Sequence, residues 1–133
     1  MRKILKIALP AVLLVLCLAG CGRYVSHYRA TGFVHSNTSG SAYMTFSSFD
    51  GTMVFTLKSG EGGRIQCRGA LGSGSTVVYY DADGTKKALF AVQGDGSEEA
   101  DLGSLPGGKV YIIVETDGTC LDGDFRFAVE KPG

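Results

Sequence analysis

The chain has 133 residues, 44% of them hydrophobic, with 13 Lys and Arg against 13 Asp and Glu. That length suits one domain around one core, and the balanced charge leaves no electrostatic footprint for nucleic acid. Its four cysteines show no Cys-x-x-Cys spacing, which excludes a redox pair and a zinc knuckle.

The chain opens on Arg2, Lys3 and Lys6, then runs uncharged and apolar through residues 7–20. Those 14 residues fall short of the roughly 20 that a membrane span needs. A basic start, a short apolar core and small residues before a break form a secretory signal helix, removed rather than retained. The run ends on Leu18-Ala19-Gly20-Cys21, which resembles the lipobox of bacterial lipoproteins. The resemblance covers the first 21 residues. It implies cleavage before Cys21, a covalent diacylglycerol on the Cys21 sulfur with palmitate-type chains, and a site at the bacterial cell envelope facing outside the cytoplasm. The chain then divides into a signal peptide (1–20), a lipidated cysteine and polar tether (21–41) and a β-domain (42–133). Processing removes three of the 13 basic residues, so ten face 13 acidic ones and the net charge is −3. No polybasic patch appears, so the lipid carries the membrane attachment.

Cys17 leaves with the signal and Cys21 is committed to lipid. Cys67 and Cys120 remain, in a compartment where disulfides persist. A bridge between them is expected; in the chain-entropy model it stabilises by up to about 4 kcal/mol. The alternative is two buried, unpaired thiols.

Residues 23–41 are polar and serine-rich, and carry both histidines, His27 and His35, with Tyr24, Tyr28 and Phe33. From Ala42 the text becomes short β-branched and aromatic runs broken by glycine. Tyr43, Phe46 and Phe49 lead to Asp50-Gly51, a turn signal. Met53, Phe55 and Leu57 alternate with more polar neighbours, and so do Ile65, Cys67, Gly69 and Leu71 against Arg64, Gln66, Arg68 and Ala70. The run from Thr76 to Tyr80 is apolar on both faces and ends at Asp81-Ala82-Asp83-Gly84. Residues 88–92 form another apolar run. Val110-Tyr111-Ile112-Ile113-Val114 is the strongest strand, and Phe125, Phe127 and Val129 alternate near the end. Seven to nine strands at short spacing, with no helical pattern after residue 21, predict an all-β, antiparallel, jelly-roll-like β-sandwich. Sequential strands are expected to pair as hairpins.

Two stretches of the second half resemble the bacterial pre-peptidase C-terminal domains and related jelly-roll modules. Val77-Val78-Tyr79-Tyr80-Asp81-Ala82-Asp83-Gly84 is similar to their strand ending in Tyr-Asp-x-Asp-Gly. Residues 108–115 followed by Gly123-Asp124-Phe125-Arg126-Phe127 are similar to their Gly-x-Tyr-Tyr-x-x-Val-x hairpin, with Val110 in place of the first Tyr. The resemblance, over residues 75–130, implies a fold and an accessory or binding role, and transfers no active site.

No Gly-x-Ser-x-Gly elbow, phosphate loop or His-Glu-x-x-His occurs. Nucleophilic catalysis needs a base beside the nucleophile, and both histidines stand near the tether. Asp81, Asp83, Asp117, Asp122 and Asp124 are the candidate calcium ligands, since calcium takes loop oxygens. Thr85 at the fifth ligand position and Lys86 after it break the EF-hand register, so solvated turn aspartates are the plainer reading and no cofactor is expected. If Val77 and Tyr79 point inward, then Val78, Tyr80, Tyr111 and Ile113 form an outward strip suited to sugar rings, peptide or a partner protein. The expected function is a non-catalytic, lipid-anchored binding or scaffolding module whose partner is an envelope protein or glycan. The alternative is a small envelope hydrolase, or hydrolase accessory, acting on cell-wall glycan or peptide.

Overall fold

The computed structural model describes residues 24–130, and these are all-β. Nine strands follow in order: β1 (His27–Thr31), β2 (Val34–Asn37), β3 (Ser41–Ser59), β4 (Arg64–Leu71), β5 (Ser75–Asp81), β6 (Lys87–Gln93), β7 (Gly96–Leu102), β8 (Gly108–Thr116) and β9 (Cys120–Glu130). The lipobox cysteine Cys21 and the signal lie outside the described residues.

β3 organises the rest. Its first part pairs with β9 from Ser41↔Ala128 to Phe49↔Cys120, and its second part pairs with β8 from Thr52↔Glu115 to Ser59↔Gly108. Between them stands Asp50-Gly51, expected to be a hairpin turn. Instead the strand runs through it and bends. Gly51 sits at φ 141, and a Cβ there would strike the His27 carbonyl and Tyr28, because β1 crosses over the bend. The bend is sharp. Asn37 lies opposite Ala42, yet its side chain donates to the Thr56 carbonyl (2.8 Å) and accepts from the Thr56 amide (2.9 Å). A straight strand would hold Ala42 and Thr56 about 46 Å apart. So β3 folds back, and its halves serve two layers.

One layer is β1/β2, the first part of β3, β9, β4 and β7; the other is the second part of β3, β8, β5 and β6. The chain alternates between them, as in a jelly roll. Sequential hairpin pairing holds for β2–β3 and β5–β6 but fails for β8 and β9, which the resemblance made a hairpin: β3 lies between them. In the segment expected as polar tether, with strand only from Ala30 to Val34, β1 (His27–Thr31) and β2 (Val34–Asn37) are strand. Both pair antiparallel with β3, β2 at residues 42–45 and β1 at residues 48–52, so the sheet begins well before Ala42.

The core fills with rings from both layers: Phe46–Phe49 at 5.3 Å, Phe46–Phe125 at 6.4 Å and Phe55–Phe127 at 5.9 Å between centroids. Each buried Phe contributes on the order of 1.5–3 kcal/mol. Gly123 and Gly69 face inward, leaving the space where Phe46 and Phe125 lie.

The expected disulfide is not formed: Cys67 and Cys120 are both free and buried. The register explains it. Cys67 lies opposite Phe127, seven positions along β9 from Cys120, a separation of about 23 Å in an extended strand, whereas a bridge needs Cα atoms within about 7 Å. Burial, with Asp101 adding to it, pushes the Cys67 thiol up to about 12.

Candidate functional site

The strip expected to face outward does not form. Val78 is fully buried in the core, and Tyr80 packs against that core from the same face. A run apolar on both sides carries no phase, and a one-residue slip exchanges its faces. Pairing with β8 sets the phase: Val78↔Val114 and Tyr80↔Ile112 place these side chains beside the inward Val114 and Ile112. Val77 and Tyr79 therefore point outward.

Tyr111 and Ile113 do lie on the outer side of β8, but that side is covered. Ile113 is 1% exposed. Tyr24 sets its ring edge against Tyr111 at 5.5 Å and donates from its hydroxyl to Asp81 Oδ2 at 2.6 Å. Burial, then the hydrogen bond to Asp81, raises the Tyr24 phenol well above its ordinary pKa. At the other side Lys86 Nζ lies 4.3 Å from the Tyr79 ring centre and 2.6 Å from Glu115 Oε2; burial followed by Glu115 raises the Tyr79 phenol too.

The acidic loops are occupied by turn geometry and cations. Asp81 Oδ1 accepts from the amides of Asp83 (3.2 Å) and Gly84 (2.6 Å). Asp83 meets Lys87 at 3.5 Å, and Asp124 meets Arg126 at 2.8 Å. Among the described residues no three acidic, His or Cys side chains converge as a metal site, so Asp81, Asp83, Asp117, Asp122 and Asp124 do not gather around a calcium position.

The open face is the outer side of the other layer. There the ladders align Ser36, Tyr43, Arg126, Arg68 and Glu99 in one row across β2, β3, β9, β4 and β7. Five strands place its ends about 19 Å apart. The neighbouring row runs Ser41, Ala128, Gln66, Asp101. Ser36, Ser41, Tyr43, Gln66, Arg68 and Arg126 of these rows line a groove of about 600 Å³, and a hollow of about 270 Å³ over Arg68, Glu98, Glu99 and Arg126 adjoins it. Arg126 holds Asp124 by two hydrogen bonds (2.8 and 3.4 Å) while its guanidinium lies 5.4 Å from the Tyr43 ring centre, so it is fixed in the groove wall. Arg64 pairs with Asp101 at 2.8 Å. Arg68, between them, makes no ion pair among the described residues, leaving its donors directed to solvent.

The alternation of Arg64, Gln66 and Arg68 against buried Ile65 and Cys67 is visible in the sequence. That Tyr43 and Arg126 stand beside them is not, since it follows from the order β3-β9-β4. His27 and His35 both lie on the β1/β2 edge, where His35 stacks on Phe33 at 4.8 Å.

No family model and no curated protein matches the sequence. Among solved structures, the chain is similar to a family 61 carbohydrate-binding module in complex with β-1,4-galactotriose, with TM-score 0.49 and 14% identity over 78% of this chain and 88% of that one. It is similar to a periplasmic inhibitor of g-type lysozyme from Aeromonas hydrophila (TM-score 0.48, 18% identity, 69% and 88% covered). It is also similar to a family 6 carbohydrate-binding module from Clostridium cellulolyticum in complex with xylose (TM-score 0.38, 20% identity, 77% and 89% covered).

Proposed function

We propose that the protein is a lipid-anchored, extracytoplasmic β-sandwich that binds an envelope glycan without catalysis, using the groove across β2, β3, β9 and β4. The observation that carries this reading is the groove lining. Hydroxyls from Ser36 and Ser41, the Gln66 amide and the Arg68 guanidinium stand on rigid strands beside the half-buried Tyr43 ring. A polyhydroxylated ring presents donors and acceptors around its rim and apolar C–H faces, which matches planar polar groups next to an aromatic. Specificity sites combine such a surface with a few placed polar groups. The carboxylates beside this groove, Glu98, Glu99 and Asp124, line the adjoining hollow, where Asp124 is paired with Arg126. The Leu-Ala-Gly-Cys motif supports the anchor.

The test is titration calorimetry against soluble peptidoglycan fragments and wall polysaccharides. Tyr43→Ala and Arg68→Ala are expected to weaken binding at least tenfold while the melting midpoint holds. Binding that both variants leave untouched would move the site off this face.

A further inference from the structure

The two groove rows and the row on either side of them carry Arg64, Arg68 and Arg126 among Glu99, Asp101, Asp124 and Glu130. Three cations thus stand among four carboxylates, and among the described residues this face presents no net positive field to an anion. Two of the guanidiniums are closed off: Arg64 on Asp101 at 2.8 Å and Arg126 on Asp124 at 2.8 Å.

The third is open. Arg68 lies directly across from Glu99 on one side and from Arg126 on the other. Cross-strand partners hold their Cβ atoms about 4.5–5.5 Å apart, close enough for an ion pair. Yet Arg68 and Glu99 form none, and among the described residues neither closes on any other charge. Both side chains are exposed. Arg68 lines the groove and the hollow alike, and Glu99 lines the hollow, so the open pair stands where the two spaces meet.

A guanidinium only donates hydrogen bonds and a carboxylate only accepts them, whereas a hydroxyl does both. A sugar hydroxyl between Arg68 and Glu99 accepts from the first and donates to the second. Both bonds are charge-assisted, which makes them the strong kind. Gln66, in the next row, offers a donor and an acceptor to a neighbouring hydroxyl. A uronate or a phosphate brings acceptors without a donor. It would find Arg68, but it would also face Glu99, with Glu98 and Asp124 in the hollow beside it, and like charges brought together are a means of rejecting a ligand.

We propose that the groove takes a neutral polysaccharide and turns away polyanionic glycans, with Arg68 and Glu99 holding one sugar hydroxyl between them; this rests on the glycan-binding role of the groove and adds its substrate class. Glu99 is the specificity-determining residue. With its charge removed, Arg64 and Arg126 would remain paired and Arg68 would stand free, which is the arrangement that suits an anion. Specificity is a difference of affinities, and here the element that works against the wrong ligand is a carboxylate set across from the binding guanidinium.

The experiment is titration calorimetry of the full, processed protein against soluble glucan, mannan and galactan. Each is also used after oxidation of its C6 hydroxymethyl groups to carboxylates, and a glycerol phosphate polymer serves as the phosphate-bearing anion. At least one neutral polymer should bind, with its oxidised form roughly tenfold or more weaker. Glu99→Gln should narrow that gap to about threefold or less. Arg68→Ala and Glu99→Ala should each weaken the neutral polymer, Glu99→Ala about fivefold, and the double variant should lose less than the two losses combined, because both side chains hold one hydroxyl. Fully additive losses overturn the shared hydroxyl. An oxidised or phosphate polymer that binds more tightly than the neutral ones, with affinity falling as salt rises, overturns the neutral class; if Tyr43→Ala abolishes that binding, the groove keeps its role as a glycan site. No binding by any of these polymers, neutral or anionic, overturns the glycan-binding role and this proposal with it.

Discussion

Tyr24→Phe removes one hydroxyl and nothing else from the contact that pins the N-terminal chain to the outer face of β5 and β8. Asp81, 5% exposed, would keep its two amide donors and lose the phenol at 2.6 Å. A hydrogen bond to a charged group contributes about 1.5–3 kcal/mol. Because the phenol is only half-buried, water replaces part of it, and the expected loss is about 1–2 kcal/mol. In a domain of this size that lowers the melting midpoint by roughly 5–15 °C. Urea and thermal unfolding at pH 7 measure it directly. The pH dependence is a second, independent check. The phenol holds its proton more tightly in the folded chain than in the unfolded one, so its contribution is complete below the ordinary tyrosine pKa of about 10 and is lost as pH rises beyond it toward the folded value. The stability gap between wild type and Tyr24→Phe should therefore narrow above pH 10. Tyr79 shifts the same way in both proteins and cancels. A loss under about 0.5 kcal/mol at pH 7, or a gap that widens in alkali, would refute the contact.

Gly123→Ala should cost about 1–3 kcal/mol by overpacking, because the added methyl meets the Phe46 ring inside the core. Gly40→Ala, with open space around it, should stay within about 0.5 kcal/mol; comparable losses in the two by urea denaturation would contradict the core assignment. Cys67 and Cys120 should resist alkylation at pH 8 in the native protein and both react in urea. Reductant should leave the melting midpoint unchanged, and a Cys67–Cys120 peptide in non-reducing maps would overturn the register of β4 and β9.

The all-β class was legible because glycine-bounded alternation repeats along the chain, and β4 and β9, each with one polar face, show their inward sides in the sequence: Ile65 and Cys67, Phe125 and Phe127. β5 had no polar face to read. Its phase came from pairing with β8, so the binding strip was placed on Val78 and Tyr80, which are core. Asp50-Gly51 carried a genuine turn signal, yet the glycine serves a close approach of β1, a contact between segments over 20 residues apart. The groove was invisible for a similar reason. Tyr43, Arg68 and Arg126 are unremarkable surface residues in their own strands and become neighbours only through a strand order that places β9 between β3 and β4.

That order also sets the direction of the groove. Ser36, at one end of the groove row, belongs to β2, and from there the row crosses the sheet through Tyr43, Arg126 and Arg68 to Glu99 on β7. Its ends stand about 19 Å apart, so a glycan strand lying across Tyr43 and Arg68 would run across the strands rather than along them. In glycan-bound protein a spin label at Glu99 should then lose mobility while one at Asp95, on the β6–β7 turn, does not, and equal mobility at both positions would contradict that path.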